Sequence, residues 1–568
     1  MITRREMLQL TSQAALGVAG AAANGPNHAA QQETARPTRP VFVYDYGWFE
    51  AHGYDCWNVA AMWRDVPEKL KPHSWLIVYV APEQIYTSVG PNTGSNPDIT
   101  PRPDPDYPRK DAALEKALNY ADAQGISIVL MVRRYVKSLA GAPSYARVER
   151  ACKEHPCIKA FLFTELGAFS FTEADTEHAL RFTAIAKQHG EKVLWAMQQG
   201  SKLAFWNFLM TDPRWRSFLP DHRDTIVPTW KNVEPCDNML NWADCVGLWL
   251  SGVSADWGFM FDSCFWSQYL GGVRRGFAGR RKIWESFYPK PVTMGGSSEF
   301  DARVGQTPFM SGGFHALTQS CPSYLVKDTM ILAALTGCRY FQFERFKPFE
   351  PGGTLRPVRD KMASLILERG LCRTADQVRE RVEVAVETPA QQEDCFRLGL
   401  SHTFSGQKPN VFWKQVFNIA EGGLDVVPNE ASHHLVPVVP PGTRSRGLFK
   451  RVLTAEEAAQ PEVLRAALAE HHSPRFAASD PNVLVFDAGN FVYITDSRED
   501  NRTTLEFTLE SKVQQDYRCT ILMQDGTPCD VQVATETIPG GWRKPMFLVA
   551  GCSALLEAKS QATTEQKA

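Results

Sequence analysis

Between residues 40 and 346, short apolar runs alternate with longer segments in which apolar residues recur at roughly helical spacing. The runs fall at 41–49, 75–81, 126–132, 158–165, 192–198, 225–230, 245–250 and 339–344. Segments such as 110–124, 173–189 and 323–336 read as helices between them. Strands that alternate with helices pair in parallel, because each helix returns the chain to the same edge of the sheet. The pattern predicts an α/β fold, a (β/α)8-type barrel, with a doubly wound sheet as the competing architecture.

The pattern changes after Glu344. Pro348, Pro351, Gly352 and Gly353 interrupt it, a helix is predicted over 358–370, and strands then dominate at 382–387, 396–401, 411–419, 483–495, 503–510 and 517–523. Turn signals such as Asp487-Ala488-Gly489-Asn490 and Asp525-Gly526 punctuate them, and one helix is predicted over 455–471. This predicts a C-terminal β-sandwich-like domain over 376–557, after a catalytic-sized domain over 41–375, with a polar tail at 558–568. At the other end, Thr3-Arg4-Arg5-Glu6-Met7-Leu8 precedes a weakly apolar stretch and small residues. That order resembles a twin-arginine export signal over 1–30, followed by a linker over 31–40. Export to the periplasm or beyond is the expectation.

Composition narrows the partner. The 61 basic and 63 acidic residues leave a net charge of −2, which offers no cationic surplus for nucleic acid or an anionic membrane. No run of about 18 apolar residues predicts a membrane span. The 13 cysteines form no C-x-x-C pair, so neither a zinc nor an iron–sulfur site is expected, and no cofactor is predicted. Some cysteines are expected to pair after export, the odd number leaving one thiol over. The 15 Trp, 15 Tyr and 32 Phe supply flat apolar rings of the kind that stack on the C–H faces of sugars, although most such rings belong to cores. The expected partner is a carbohydrate.

In barrels, catalytic groups sit where strands end at the C-terminal face. Glu165 closes the run 158–165, where partial desolvation would raise its pKa and suit it to protonate a leaving-group oxygen; a rim ion pair serves equally well. The segment 247–266 combines glycines, Trp249, Trp257 and Trp266 with Asp256 and Asp262, offering stacking faces and carboxylates; Asp262 as a helix N-cap is the structural alternative. Glu344 ends the last run beside Arg345, which makes a buried ion pair the competing explanation.

The order of these features carries a resemblance. A strand ending in Glu165, Lys231 after the run 225–230, the series Ser251-Gly252-x5-Gly258-x3-Asp262-Ser263-Cys264-x-Trp266, and a strand ending in Glu344 together resemble glycoside hydrolase family 98. The segment from Asp55-Cys56-Trp57-Asn58 to His73 is similar to that family's lead into its second strand. The resemblance implies a barrel with a β-sandwich behind it and hydrolysis of internal glycosidic bonds with inversion. Carried over by position, it makes Glu165 the general acid and Asp262 with Glu344 the pair that activates water.

The stretch between Trp266 and Arg339 is longer than the family pattern, and Glu285 or Glu299 within it could replace Glu344, as Asp256 could replace Asp262. Lys231, Trp195, Gln198, Trp249, Asp256, Trp257, Trp266, Glu285 and His315 are candidate substrate contacts. Members of the family divide between galactose-containing glycans of the blood-group type and xylans. Two other classes stay open: a non-catalytic carbohydrate-binding protein, and an exported metal or redox enzyme. An esterase is not supported, since no G-x-S-x-G stands in a strand-turn-helix context.

Overall fold

The computed structural model describes residues 39–45, 57–86, 101–133, 143–164, 166, 173–197, 206, 209–232, 239–261, 323–343, 353–391, 435–458, 460–471, 475–480, 483–496, 503–549 and 551–559. The export segment, the linker through residue 38 and the expected strands at 396–401 and 411–419 lie outside them.

The barrel strands are β1 (Val41–Tyr44), β2 (Ser74–Tyr79), β5 (Ser127–Arg133), β6 (Ile158–Thr164), β7 (Lys192–Met197), β8 (Ile226–Asn232), β9 (Gly258–Phe261) and β10 (Tyr340–Phe343). A separate antiparallel pair is formed by β3 (Gln84–Tyr86) and β4 (Pro101–Pro103). The barrel closes in the order β1-β10-β9-β8-β7-β6-β5-β2, with every neighbour parallel. Around it lie α1 (Val59–Asp65), α2 (Tyr107–Gln124), α3 (Tyr145–Glu154), α4 (Glu173–His189), α5 (Pro213–Asp221), α6 (Met239–Leu250), α7 (Ser323–Leu335) and α8 (Arg356–Arg369). Local signals fix their ends. Ser144 caps α3 by accepting from the Arg147 amide, and α2 stops at Gly125, whose φ of 65° suits a residue without Cβ.

Side chains alternate across each strand, so one parity fills the lumen and the other meets the helices. Val43, Ile77, Val129, Met131, Leu162, Leu194, Val227 and Met260 form an apolar plug inside the barrel. Phe42, Leu76, Leu130, Phe161, Phe163, Trp195, Phe259 and Phe341 belong to the outer layer.

Seven of the expected strands overlap observed ones; the run 245–250 does not, because it lies within α6. That helix is buried on nearly every side and is therefore apolar all round, a pattern that a short window cannot tell from a buried strand. The true seventh strand is the four-residue β9.

Three short strands, β11 (Val384–Glu387), β12 (Val438–Val439) and β13 (Arg451–Thr454), form a parallel sheet in the order β12-β11-β13. It lies against α6, where a Cβ on Gly247 would fall 1.7 Å from the Val438 carbonyl oxygen. Around it are α9 (Ala375–Arg379), α10 (Ala455–Ala458) and α11 (Pro461–His471), the last two replacing the single helix expected over 455–471. The remaining strands are β14 (Phe476–Ala478), β15 (Val483–Asp487), β16 (Phe491–Asp496), β17 (Leu505–Ser511), β18 (Tyr517–Leu522), β19 (Pro528–Val531), β20 (Glu536–Ile538), β21 (Gly541–Leu548) and β22 (Ser553–Ala558). They make two antiparallel sheets, β14-β17-β21-β20 and β15-β16-β22-β18-β19. Val485, Ile494, Phe507, Leu509, Met546 and Leu556 from both sheets share one core, which is a sandwich.

No helix among the described residues is long and apolar enough to cross a membrane. Among the described residues, no disulfide joins any two of Cys152, Cys157, Cys245, Cys338, Cys372, Cys519, Cys529 and Cys552.

Candidate active site

Above the apolar plug, the lumen turns polar at the C-terminal ends of the strands. Asp45 follows β1 on the inward parity of Val41 and Val43, Thr164 ends β6, Lys231 stands near the end of β8, and Gln342 lies in β10; all four are buried. The Asp45 amide donates to the Phe343 carbonyl at 3.0 Å, which sets Asp45 beside the end of β10. Gln342 is in register with Met260, and Met260 with Lys231, so an amide and an ammonium flank β9 at one height.

Beneath them the amide nitrogen of Gln342 lies 3.5 Å from Thr229 Oγ1, which itself donates to the Val227 carbonyl at 3.2 Å. This contact reaches across β9 because Gly258 has no side chain: a Cβ there would sit 2.7 Å from Thr229 Oγ1. The carbonyl oxygen of Gln342 and the hydroxyl of Thr164 are buried with no hydrogen-bond partner among the described residues. Buried acceptors of this kind are the ones a water or a sugar hydroxyl would satisfy.

The three carboxylates expected to do chemistry, Glu165, Asp262 and Glu344, lie outside the described residues, as do Gln198, Trp266, Glu285, Glu299 and His315. Phe261 and Phe343 are in register on adjacent strands, and Asp262 and Glu344 come next in the chain. Thr164 ends β6, four staves from β10 in an eight-stave barrel and so opposite it across the lumen.

Four expected contacts need correction. Trp195 points outward, in edge-to-face contact with Phe163, Trp206 and Trp215 at ring distances of 5.6, 5.0 and 5.6 Å, with its indole nitrogen 3.4 Å from the Leu166 carbonyl. No sugar reaches it there. Trp249 lies on α6, where its ring occupies the space that a Cβ on Gly337 would enter at 2.1 Å. Trp257 is fully buried and donates to the Thr336 carbonyl at 3.1 Å. Asp256 is held by Arg339, whose Nη1 stands 3.2 and 3.1 Å from its two oxygens. Asp256 and Trp257 precede β9, and Arg339 precedes β10, so all three belong to the N-terminal rim of the barrel, the face away from the chemistry. Reading 245–250 as a strand had placed this rim at the wrong end.

Lys231 is the one expected contact among the described residues that faces the lumen. Asp45 was missed. Its signal was present in the alternation Val41, Val43, Asp45, but the first run was extended to Phe49 and concealed the strand end.

An apolar barrel floor under a polar rim, with amide, hydroxyl, ammonium and carboxylate groups aimed inward, suits an uncharged ligand rich in hydroxyls. Solved structures share the fold. The catalytic module of a family 98 glycoside hydrolase from Streptococcus pneumoniae TIGR4, in its native form, matches with a TM-score of 0.54 at 13% identity, covering 93% of this chain and 100% of that one. The same module in complex with the H-disaccharide blood group antigen gives 0.54 at 13%, covering 93% and 100%, and with the LewisY pentasaccharide blood group antigen 0.53 at 13%, covering 90% and 82%. At that identity the likeness speaks for the fold. A comparison with curated protein sequences gives no match. The model of glycosyl hydrolase family 98 matches residues 43–349, more than half of the chain. On that match, and on a barrel whose strands end where the motif residues begin, the chain belongs to glycosyl hydrolase family 98.

Proposed function

We propose that the protein cleaves internal glycosidic bonds of a galactose-containing glycan or a xylan by single displacement with inversion. Glu165 protonates the leaving oxygen, and Asp262 with Glu344 positions and deprotonates the attacking water. The observation that supports this division of labour is the strand order: β9 and β10 are neighbours in register, whereas β6 stands opposite β10 across the lumen. Inversion requires acid and base carboxyls about 6.5 to 9.5 Å apart, room for a water between them, whereas retention uses about 5 Å.

Parity supports the base pair as well. Met260 and Gln342 face the lumen, and Asp262 and Glu344 come two residues later. For Glu165 strict alternation would count against the reading, since Phe163 faces outward. Leu166, which strict counting would turn inward, belongs to the same outer layer as Phe163 and Trp195. The blood-group ligands of the streptococcal module make such glycans the first substrates to try, with xylans second. We also propose export through the twin-arginine route, with Arg4 and Arg5 as its signal; replacing both by lysine should leave the protein in the cytoplasmic fraction.

The test is hydrolysis of blood-group glycans and xylans followed by proton NMR. The first-formed product should carry the anomeric configuration opposite to that of the cleaved bond. Glu165→Gln, Asp262→Asn and Glu344→Gln should each lower kcat by about 10²- to 10⁴-fold while ligand binding persists. Product that first appears with the original configuration would reject inversion, and binding without any turnover would identify a lectin-like protein instead.

A further inference from the structure

The rim of the barrel carries an arrangement to which the proposed mechanism gives no role. Between β2 and α2 the chain forms the β3–β4 hairpin, which leaves from the C-terminal ends of the strands, the face where barrels do their chemistry. In its ladder Gln84 pairs with Pro103, Ile85 with Arg102 and Tyr86 with Pro101. Proline has no amide hydrogen, so of the three β4 residues only Arg102 can donate across the pair. A two-stranded ribbon is marginal in water even with a full ladder, and this one has less.

What holds the described part of the hairpin lies at its base. The Asp104 amide donates to the Glu83 carbonyl at 3.0 Å, which closes the ribbon. The Asp104 carboxylate accepts from the Asp106 amide at 2.9 Å and from Lys110 at 3.0 Å, which joins the ribbon to α2. The Glu83 carboxylate reaches the next stave: its Oε2 accepts from the Ser144 amide at 3.0 Å and its Oε1 from the Ser144 hydroxyl at 2.6 Å. Ser144 is the N-cap of α3, so the carboxylate stands at the positive end of that helix. Because β2 and β5 are neighbours, Glu83 ties the connection after β2 to the one after β5. On the other side of β2, the Trp57 indole, from the connection after β1, donates to the Tyr79 carbonyl at 2.9 Å. The rim is thereby joined from β1 through β2 to β5, and β6 is the next stave.

We propose that Glu83 is a positioning residue that fixes the β3–β4 hairpin as a wall of the glycan cleft, beyond the sugars at the cleaved bond. This rests on the reading of the protein as a hydrolase of internal bonds, since a chain cut internally runs on past the reacting sugars and across the rim on which the hairpin stands. In that role Glu83 takes no part in proton transfer. It governs how tightly a long chain is held, not how fast the bond breaks.

Two measurements on the full-length protein test this, with Glu83→Ala, which removes the acceptor, and Glu83→Gln, which keeps one. The first, hydrogen–deuterium exchange read by mass spectrometry, needs no turnover. Peptides that carry Gln84–Tyr86 and residues 102–104 should exchange about threefold to tenfold faster in Glu83→Ala and nearer to the wild-type rate in Glu83→Gln, while β5 exchanges as in wild type because the barrel is intact. The second is the dependence of KM on glycan length. In Glu83→Ala, KM for the longest oligosaccharide cleaved should rise by about threefold to tenfold at unchanged kcat, while the shortest keeps its wild-type KM. If the wild type binds glycans without cleaving them, the hydrolytic reading fails on its own, and dissociation constants from calorimetry should carry the same length dependence. Coincident exchange in wild type and Glu83→Ala would overturn the proposal. So would faster exchange with no change in KM or Kd at any length, or an equal fall in kcat on long and short substrates, which would make the tie a support of the barrel. A wild type that neither binds nor cleaves a glycan would overturn both readings.

Discussion

Phe261 and Phe343 end neighbouring strands in one register, and their rings stack on the outer face of the barrel at 5.8 Å and 12° between planes. Each ring is followed directly by a carboxylate of the proposed base pair. The stack therefore ties two strand ends together from behind. Phe343→Ala should lower the unfolding free energy by about 3 to 5 kcal/mol, the cost of emptying a buried aromatic site. Its kcat should fall more than its KM rises, because the loss is one of placement. Urea unfolding and steady-state kinetics measure the two effects, and wild-type stability in Phe343→Ala would show that the ring does not hold the strand end.

Asp256 and Arg339 occupy the other end of the same two strands. The ion pair is partly buried, and burial alone would lower the Arg339 pKa, but Asp256 more than compensates and holds it above its ordinary value. Asp256→Asn should cost about 1 to 2 kcal/mol of stability and leave kcat/KM within about threefold of wild type. A loss of hydrolysis as deep as that of Asp262→Asn, at unchanged stability, would return Asp256 to the catalytic set.

Much of this fold was legible in local pattern. The run ending at Thr164 and the helix Glu173–His189 were found nearly to the residue, because each is long and keeps one period throughout. The exchange of α6 for a strand came from burial: Trp242, Cys245, Val246 and Leu248 are all inaccessible, so no polar face marked the helical period. The four residues of β9 begin at a glycine that makes room for Thr229, a reason visible only once β8 and β10 stand beside it. In the sandwich, β21 escaped notice because Pro545 interrupts it, and proline argues against a central strand. For the site, the sequence could mark strand ends but not the sense of the intervening loops. Asp256 and Asp262 are six positions apart, and the strand that lies between them in the chain has only four residues, too few to stand out as a run.

Glu191 lies just before β7, buried, with the Cys152 thiol donating to its Oε2 at 3.3 Å. Burial raises its pKa from the ordinary 4.5 to about 7, against smaller lowering effects of the Cys152 hydrogen bond and of Lys159. A carboxyl whose folded pKa lies above its unfolded one binds more protons when folded, so stability falls as pH rises between these two values. The loss should reach on the order of 3 kcal/mol and level off above pH 7. Glu191→Gln should remove this slope, gaining on wild type at pH 8 but not at pH 4.5. Parallel stability curves for the two proteins in chemical denaturation would show that Glu191 is not the group responsible.

Lys327 and Asp328, adjacent on α7, are wholly buried where the barrel meets the sandwich. The Lys327 ammonium donates to the carbonyls of Leu522 at 3.2 Å and Gly551 at 2.8 Å. The Asp328 carboxylate accepts from the Tyr493 hydroxyl and from Thr495 Oγ1, the latter at 3.3 Å. Thus each charge on the barrel helix is satisfied by groups from the other domain, and separating the two would expose both ions and strand their partners. Lys327→Met leaves a buried carboxylate without its neighbouring cation and should cost about 3 to 5 kcal/mol. Adding Asp328→Asn should recover part of that loss, because no uncompensated ion then remains. Calorimetry should show barrel and sandwich melting together in the wild type, with the shared transition lowered in Lys327→Met. Two independent transitions in the wild type, or a Lys327→Met midpoint equal to it, would mean that this buried pair does not couple the domains.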